Sequence, residues 1–219
     1  MLQLNQKSWN DSKKLAARQA TIIGYYRDCF GCAIPADTQY WSMCGQCVAP
    51  TGEFQVGCEL DQITKEGLIQ PAQFHGVEIN PEITEANRNG CPQAHWYCDD
   101  FYLSMLKAKA QNKFTPAIVN ADFINMPVRA CGYFSDILAL LSVCKGGIML
   151  VGNMVMEFQR FPHRNRDAEF ILQKLNKQPQ FQFALKTADW RFDQKYYRYA
   201  GTGKESRTTM GSIIFWKEK

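Results

Sequence analysis

The chain has 219 residues, of which 46% are hydrophobic and 21% are charged. This length suits one sizeable domain better than two, and the composition excludes an intrinsically disordered or low-complexity protein. The formal net charge of +4 permits an anionic partner such as nucleic acid, although a dedicated nucleic-acid-binding protein is usually more basic.

The apolar and cysteine-containing segments bear on where the protein works. Residues 1–14 are polar and lack the apolar region of a signal peptide. The most apolar stretch, residues 137–156, is interrupted by Lys145 and Asn153, so it indicates a buried helix and a buried strand rather than a membrane span. The nine cysteines are an odd number, which is typical of reduced thiols. We therefore expect a cytoplasmic protein with no membrane partner; the oligomeric state stays open.

Segments with helical and strand periodicity alternate along most of the chain. In chain order, the pattern predicts helix 10–29, strand 40–44, helix 59–69, strand 74–79, helix 82–88, strand 95–98, helix 101–109, strand 117–120, helix 133–143, strand 148–152, helix 167–175, strand 181–190 and strand 210–216. Such alternation predicts a parallel α/β sheet with helices on both faces, closed by an antiparallel hairpin of the last two strands. We expect one domain, with residues 1–39 as an N-terminal helical extension and residues 40–219 as the core.

Polar residues follow three consecutive predicted strands. Glu78 ends one strand, Asp100 follows the next, and Asn120 and Asp122 follow the third. Ligands of open α/β sheets bind at the carboxyl ends of strands, so these side chains should line one cleft. A carboxylate at the position of Glu78 can accept hydrogen bonds from both hydroxyls of a ribose, although it could equally be a solvated strand-end residue.

Over residues 40–216, the sequence resembles the class I S-adenosylmethionine-dependent methyltransferases. The resemblance rests on the order of the elements, on the acidic residues Glu78 and Asp100 at the ends of two strands, and on the final hairpin. The sequence also looks similar to uncharacterised methyltransferase-like proteins of phages and mobile elements. The resemblance implies a Rossmann-like, mostly parallel seven-stranded sheet of order 3-2-1-4-5-7-6 with a C-terminal antiparallel hairpin. It also implies S-adenosyl-L-methionine as the cofactor, with Glu78 at its ribose, Asp100 at its adenine, and Asn120 and Asp122 facing the methyl group and the substrate.

The loop after the first predicted strand departs from this family. The family usually has an acidic residue followed by three alternating glycines, whereas residues 42–47 of this chain are SMCGQC. Gly45 is the candidate for close approach of the backbone to the cofactor, because glycine has no Cβ. Gly57 is a candidate start of the next helix. The alternative function is therefore a non-catalytic cofactor- or nucleic-acid-binding protein that retains the fold.

The segment after the fourth predicted strand bears on catalysis. Enzymes that methylate amino groups of nucleic-acid bases carry Asp/Asn-Pro-Pro-aromatic here, which orients an extruded base. Residues 120–123 are NADF, which keeps the first Asn and the aromatic Phe123 but lacks both prolines. Asp122 is the candidate to orient or deprotonate the acceptor, and Asn120 is the candidate to hold it.

Two basic and aromatic segments predict the substrate class. The segment 160–166 contains Arg160 and Arg164, and the segment 190–199 interleaves aromatic and basic residues. Arginine can contact phosphates while aromatic rings stack on bases, although a solvated face and packed edge-strand aromatics would give the same pattern. We expect a nucleic-acid substrate rather than a small molecule or a protein; DNA and RNA stay open.

Two Cys-x-x-Cys pairs suggest a rival interpretation. Cys29 and Cys32 precede Cys44 and Cys47, with eleven residues between the pairs, and four thiolates at such spacing can bind zinc. The second pair lies where the cofactor loop should be, so we favour small apolar residues in a reduced chain and expect no metal. The three histidines show no ligand spacing and are interpreted as packing or surface residues.

Overall fold

A computed structural model describes residues 12–48, 53, 55–122, 127–157, 168–200 and 207–218. The strands in these ranges are β1 Gln39–Met43, β2 Phe74–Val77, β3 His95–Tyr97, β4 Pro116–Asp122, β5 Ile148–Glu157, β6 Arg191–Ala200 and β7 Arg207–Lys217. The α-helices are α1 Ser12–Arg18, α2 Gly24–Phe30, α3 Glu59–Lys65, α4 Pro81–Gly90, α5 Phe101–Ala110, α6 Pro127–Ser142, α7 Ala168–Leu175 and α8 Pro179–Thr187.

The seven strands form one sheet of order β3-β2-β1-β4-β5-β7-β6. Neighbouring strands from β3 to β5 run parallel, whereas β7 pairs antiparallel with both β5 and β6. The predicted fold class, including the strand order and the C-terminal hairpin, is confirmed. Within the described ranges, no helix is both long enough and apolar enough to cross a membrane.

Two apolar layers cover the two faces of the sheet, because successive strand residues point to opposite sides. Tyr40 and Ile118 belong to the layer that contains residues of α2 and α3. Their neighbours Trp41 and Val119 belong to the layer that contains residues of α5, α6 and α8. The parallel strands β1, β2 and β4 are thus buried on both faces, which leaves their carboxyl ends as the natural place for a ligand.

The prediction of a strand over residues 181–190 is wrong. The chain forms helix α8 there, and the sixth strand is β6, which begins at Arg191. The proline of α8 occupies the first helical turn, where its missing N–H costs nothing. Phe181 and Ala184, three residues apart, are the buried side chains of the helix, which is helical rather than alternating spacing.

The N-terminal helical extension packs against α3. The predicted helix 10–29 is divided into α1 and α2 by a π-helical turn, Gln19–Ile23, whose last three residues are buried. The guanidinium of Arg18 donates to the backbone oxygen of Gly57 (3.2 Å), and that of Arg27 pairs with Glu66 (3.2 Å). These contacts hold the extension beside both ends of α3, since Gly57 precedes the helix and Glu66 follows it.

Candidate functional site

The carboxyl ends of β1 to β4 bring four of the predicted site residues to one edge of the sheet. Gly45 follows β1, Glu78 follows β2, Asp100 lies just beyond β3, and Asp122 is the last residue of β4. These four strands are adjacent and parallel, and the backbone N–H of Glu78 donates to the oxygen of Tyr97 (3.0 Å) across the ends of β2 and β3. The expected common edge is therefore present.

The loop after β1 is held by a side chain that the sequence did not reveal. Asn87, a fully buried residue of α4, donates through Nδ2 to the oxygen of Gly45 (2.8 Å). Its Oδ1 accepts from the backbone N–H of Cys47 (2.7 Å). The nitrogen and the oxygen of the Asn87 amide thus both hold the loop. The helix that carries them, α4, begins close to Glu78.

The backbone of this loop explains why glycine is required at one position. Gly45 has a φ of +53°, in the left-handed region that glycine adopts readily. Farther along, the N–H of Gln55 donates to the oxygen of Cys47 (2.8 Å). Gly57, with a φ of +84°, lies just ahead of Cys58, the N-cap of α3, so the helix begins at Glu59, as the predicted helix 59–69 does, and not at Gly57 itself.

Glu78 is partly exposed at the end of β2. Its Oε1 accepts from the backbone N–H of Asn80 (2.9 Å), and no described residue hydrogen-bonds Oε2. Asn80 in turn caps α4 by accepting from the N–H groups of residues 82 and 83. The apolar side chain of Ile79, next to the carboxylate, is 77% exposed. The strand end therefore presents an accepting oxygen and an apolar surface side by side.

Asp100 is fixed from two sides. It is the N-cap of α5, and its Oδ1 accepts from the N–H of Leu103 (3.0 Å). The hydroxyl of Tyr133, on α6, donates to the same carboxylate (2.8 Å), and it accepts from the N–H of Tyr102 (2.7 Å). Burial, together with the Asp100 carboxylate, raises the pKa of Tyr133, so this hydroxyl stays a donor.

Asn120 belongs to a chain of buried side-chain hydrogen bonds, here named the buried polar chain. Its Nδ2 donates to Oε1 of Glu59 (3.0 Å), which also accepts from the hydroxyl of Tyr40 (2.7 Å). Asn153 donates to Oδ1 of Asn120 (3.0 Å), and Ser212 donates to Oδ1 of Asn153 (2.5 Å). The chain therefore connects α3 with β1, β4, β5 and β7.

The two polar residues of β4 are consequently in different environments. Asn120 is only 2% exposed, and both ends of its amide are used within the buried polar chain. Asp122, two residues farther on, is exposed at the end of the strand. Beside them, Ser42 lies opposite Asn120 in the register of β1 and β4, and its buried Oγ has no partner among the described residues.

Other predicted features lie elsewhere. Phe123, Arg160 and Arg164 are outside the described residues. All nine cysteines are free thiols, and in the part of the chain that the structure describes, no three Cys, His, Asp or Glu side chains are arranged to hold a metal ion. Cys44 and Cys47 are instead buried in the apolar layer that contains α3.

Comparisons with known proteins come from structure rather than sequence. No protein-family model matches the chain, and no curated protein matches it. It is similar to precorrin-6y C5,15-methyltransferase from Geobacter metallireducens GS-15, with a TM-score of 0.50, 11% identity, and coverage of 99% of this chain and 97% of that one. The chain is also similar to the plantazolicin methyltransferase BpumL in complex with SAH, with a TM-score of 0.51, 11% identity, and coverage of 98% of this chain and 87% of that one. The chain has the Rossmann-like fold of S-adenosylmethionine-dependent methyltransferases.

Proposed function

We propose that this protein is an S-adenosylmethionine-dependent methyltransferase that binds its cofactor across the carboxyl ends of β1, β2 and β3. The observation that carries the proposal is the pairing of the fixed Gly45 turn with the accepting carboxylate of Glu78. A ribose needs such an acceptor, and an adenine needs an apolar surface and an acceptor for its amino group. Ile79 and Asp100 can supply these two at the same edge. A structurally similar methyltransferase was solved with SAH bound.

The bound cofactor would supply an activated methyl group on a sulfonium. The protein then has to position the acceptor, exclude water and, for a protonated acceptor, take a proton. We assign that role to Asp122, which is exposed at the end of β4. The hydrogen bonds of Asn120 to Glu59 and Asn153 support a positioning role for Asn120, because they hold the strand from which Asp122 extends.

Two exposed cysteines provide a direct test of the cofactor site. Cys98 lies at the proposed site, where its thiol donates to the backbone oxygen of Ile79 (3.7 Å). Cys32 lies ahead of β1, on the side of the sheet where the parallel strands begin. At SAH concentrations about ten times the Kd, alkylation of Cys98 by iodoacetamide should slow about ten-fold, because only the unbound fraction reacts. Alkylation of Cys32 should be unchanged. Peptide mass spectrometry measures both rates in one sample.

The matched variant for this test is Glu78→Ala. Hydrogen bonds to a charged acceptor contribute about 1.5–3 kcal/mol, so half-protection of Cys98 should require at least about ten-fold more SAH. Equal protection of Cys98 and Cys32, or no protection of either at saturating SAH, would contradict the proposed site. Either result would favour the non-catalytic alternative, which is supported by the single glycine among residues 42–47.

We further propose a nucleic-acid substrate, which the net charge of +4 and the basic segments of the sequence support. Transfer of labelled methyl from the cofactor into separated DNA, RNA, protein and small-molecule fractions tests this proposal. Label is expected in DNA or RNA. Label found only in protein or in small molecules would overturn the substrate assignment but keep the enzyme, and cofactor binding without any transfer would identify a binding protein.

A further inference from the structure

A ladder of stacked rings crosses β1, β2 and β3 on the face that carries α5. Trp41, His75 and His95 occupy paired positions of the three strands. The ring centroids lie 4.6 Å apart between Trp41 and His75 and 4.5 Å apart between His75 and His95, with planes inclined by 23° and 21°. In the described sheet β3 is the edge strand, and His95 is exposed. The ladder therefore ends in a ring that another planar ring can continue.

The ladder borders a groove between the sheet and α5, here named the α5 groove. Its volume is about 780 Å³, within the range of small-molecule sites. The segments that lead into β1, β2 and β4 line it, among them Gln39, Gln73 and Thr115. The α5 groove thus lies at the amino ends of β1, β2 and β4 and extends along β3 to Tyr97 and Asp99; Glu78 is not part of its lining.

A buried hydroxyl in the groove lacks a partner. Ser104, on α5, lines the groove and is 3% exposed, and its Oγ makes no hydrogen bond with any described residue. Most buried polar side chains in folded proteins are hydrogen-bonded, so an orphaned hydroxyl that lines a cavity indicates a missing partner. This observation is independent of the ring ladder and points to the same space.

The polar lining of the groove restricts the chemistry of a ligand. Lys107 is paired with Asp99, and the other charged residues of the lining, Lys113 and Asp37, are of opposite sign. The lining is therefore balanced in charge and favours an uncharged ligand. Burial, with His95 as the second cause, lowers the pKa of His75 to about 3, so the middle ring of the ladder is also neutral at physiological pH.

Amide groups complete the lining. Gln111 and Asn112 lie at the end of α5, and their side-chain amides hydrogen-bond no described residue. Asn and Gln amides pair with adenine through one donated and one accepted hydrogen bond. We propose that the α5 groove binds an adenine base, which stacks on His95, hydrogen-bonds Ser104, and presents its polar edge to these amides.

Binding is tested with two probes, adenosine and a short single-stranded oligoadenylate, each without SAH and again in the presence of saturating SAH. Calorimetry for adenosine and fluorescence anisotropy for the labelled oligonucleotide should both detect binding. His95→Ala should weaken binding on the order of ten-fold, as expected for removal of one stacking ring. His95→Phe keeps a ring and should retain the affinity within about two-fold. Lys186→Ala, on the exposed surface of α8, is the matched control and should change nothing.

The outcomes distinguish a nucleic-acid strand from a free nucleoside as the source of the base, and they distinguish the α5 groove from the cofactor site. Tighter binding of the oligoadenylate than of adenosine supports a strand as the source, and equal binding supports a free nucleoside. Absence of binding by both probes, or equal affinity of wild type and a folded His95→Ala variant, would overturn the proposal. Binding that disappears when SAH saturates the protein would also overturn it, because the adenine would then occupy the cofactor site, and the proposed methyltransferase function would be unaffected.

Discussion

Replacement of Asp122 by alanine should lower methyl transfer by about 100-fold or more, since a positioned general base contributes about 10²–10⁴-fold to a rate. Asp122 is exposed at the end of β4, and the residue two positions before it is anchored to Glu59 and Asn153. The variant keeps Glu78 and Asp100, so its affinity for SAH should stay within about two-fold of wild type. Labelled-methyl transfer and calorimetry measure the two quantities.

Two further variants sharpen this prediction. Asp122→Asn keeps the size and the hydrogen-bonding oxygen but cannot accept a proton at neutral pH. A loss equal to that of Asp122→Ala would assign proton transfer, and retained activity would assign orientation of the acceptor. Glu85→Ala, on the exposed face of α4, removes an acidic group outside the site and should transfer at the wild-type rate. Unchanged turnover in Asp122→Ala would remove Asp122 from the mechanism.

Replacement of Glu59 by alanine should lower the free energy of unfolding by about 3 kcal/mol or more, because each buried polar group left unpaired costs about 1–3 kcal/mol. The substitution removes the shared acceptor of the Tyr40 hydroxyl (2.7 Å) and the Asn120 amide (3.0 Å). Both donors are almost fully buried, so water cannot easily replace the carboxyl group. Urea unfolding with an unchanged m-value measures the loss directly.

Milder variants of the buried polar chain provide the controls. Glu59→Gln retains an accepting oxygen, and Tyr40→Phe removes one donor together with its hydrogen bond, so each should cost about 1 kcal/mol. A stability of Glu59→Ala within that same range of wild type would show that the chain of hydrogen bonds does not hold α3 to the sheet.

The order of elements could be predicted because each parallel strand carries its own signal, a short apolar run, and three of these runs end in polar residues, as at Glu78. The exception is the helix α8. Its apolar residues include Phe181 and Phe183, which alternate like those of a strand, but the proline of its first turn and the packing of Ala184 on the core favour the helix. The packing of the segment on the core therefore decided its structure, and the alternation of its apolar residues did not.

The candidate site could be predicted only in part. Gly45, Glu78 and Asp100 could be predicted because each follows a parallel strand, and the carboxyl ends of adjacent parallel strands lie on the same side of a sheet. The side chains that hold them did not follow a motif: Asn87 reaches Gly45 across 42 residues of sequence, and Tyr133 reaches Asp100 across 33. Such pairs are decided by how helices pack on the sheet, and an asparagine in a polar helix carries no sign that it will be buried.

The hydrogen bond between Gln55 and Cys47 has a consequence for how this protein can vary. It closes the base of the intervening segment, and Asn87 holds the turn at Gly45 from outside that segment. The entropy of closing a loop grows slowly, by about 0.6 kcal/mol for each doubling of its length. Insertions between the buried Val48 and Gln55 should therefore cost little entropy and leave the turn at Gly45 in place, so a homologue or an engineered version could carry an added recognition element there.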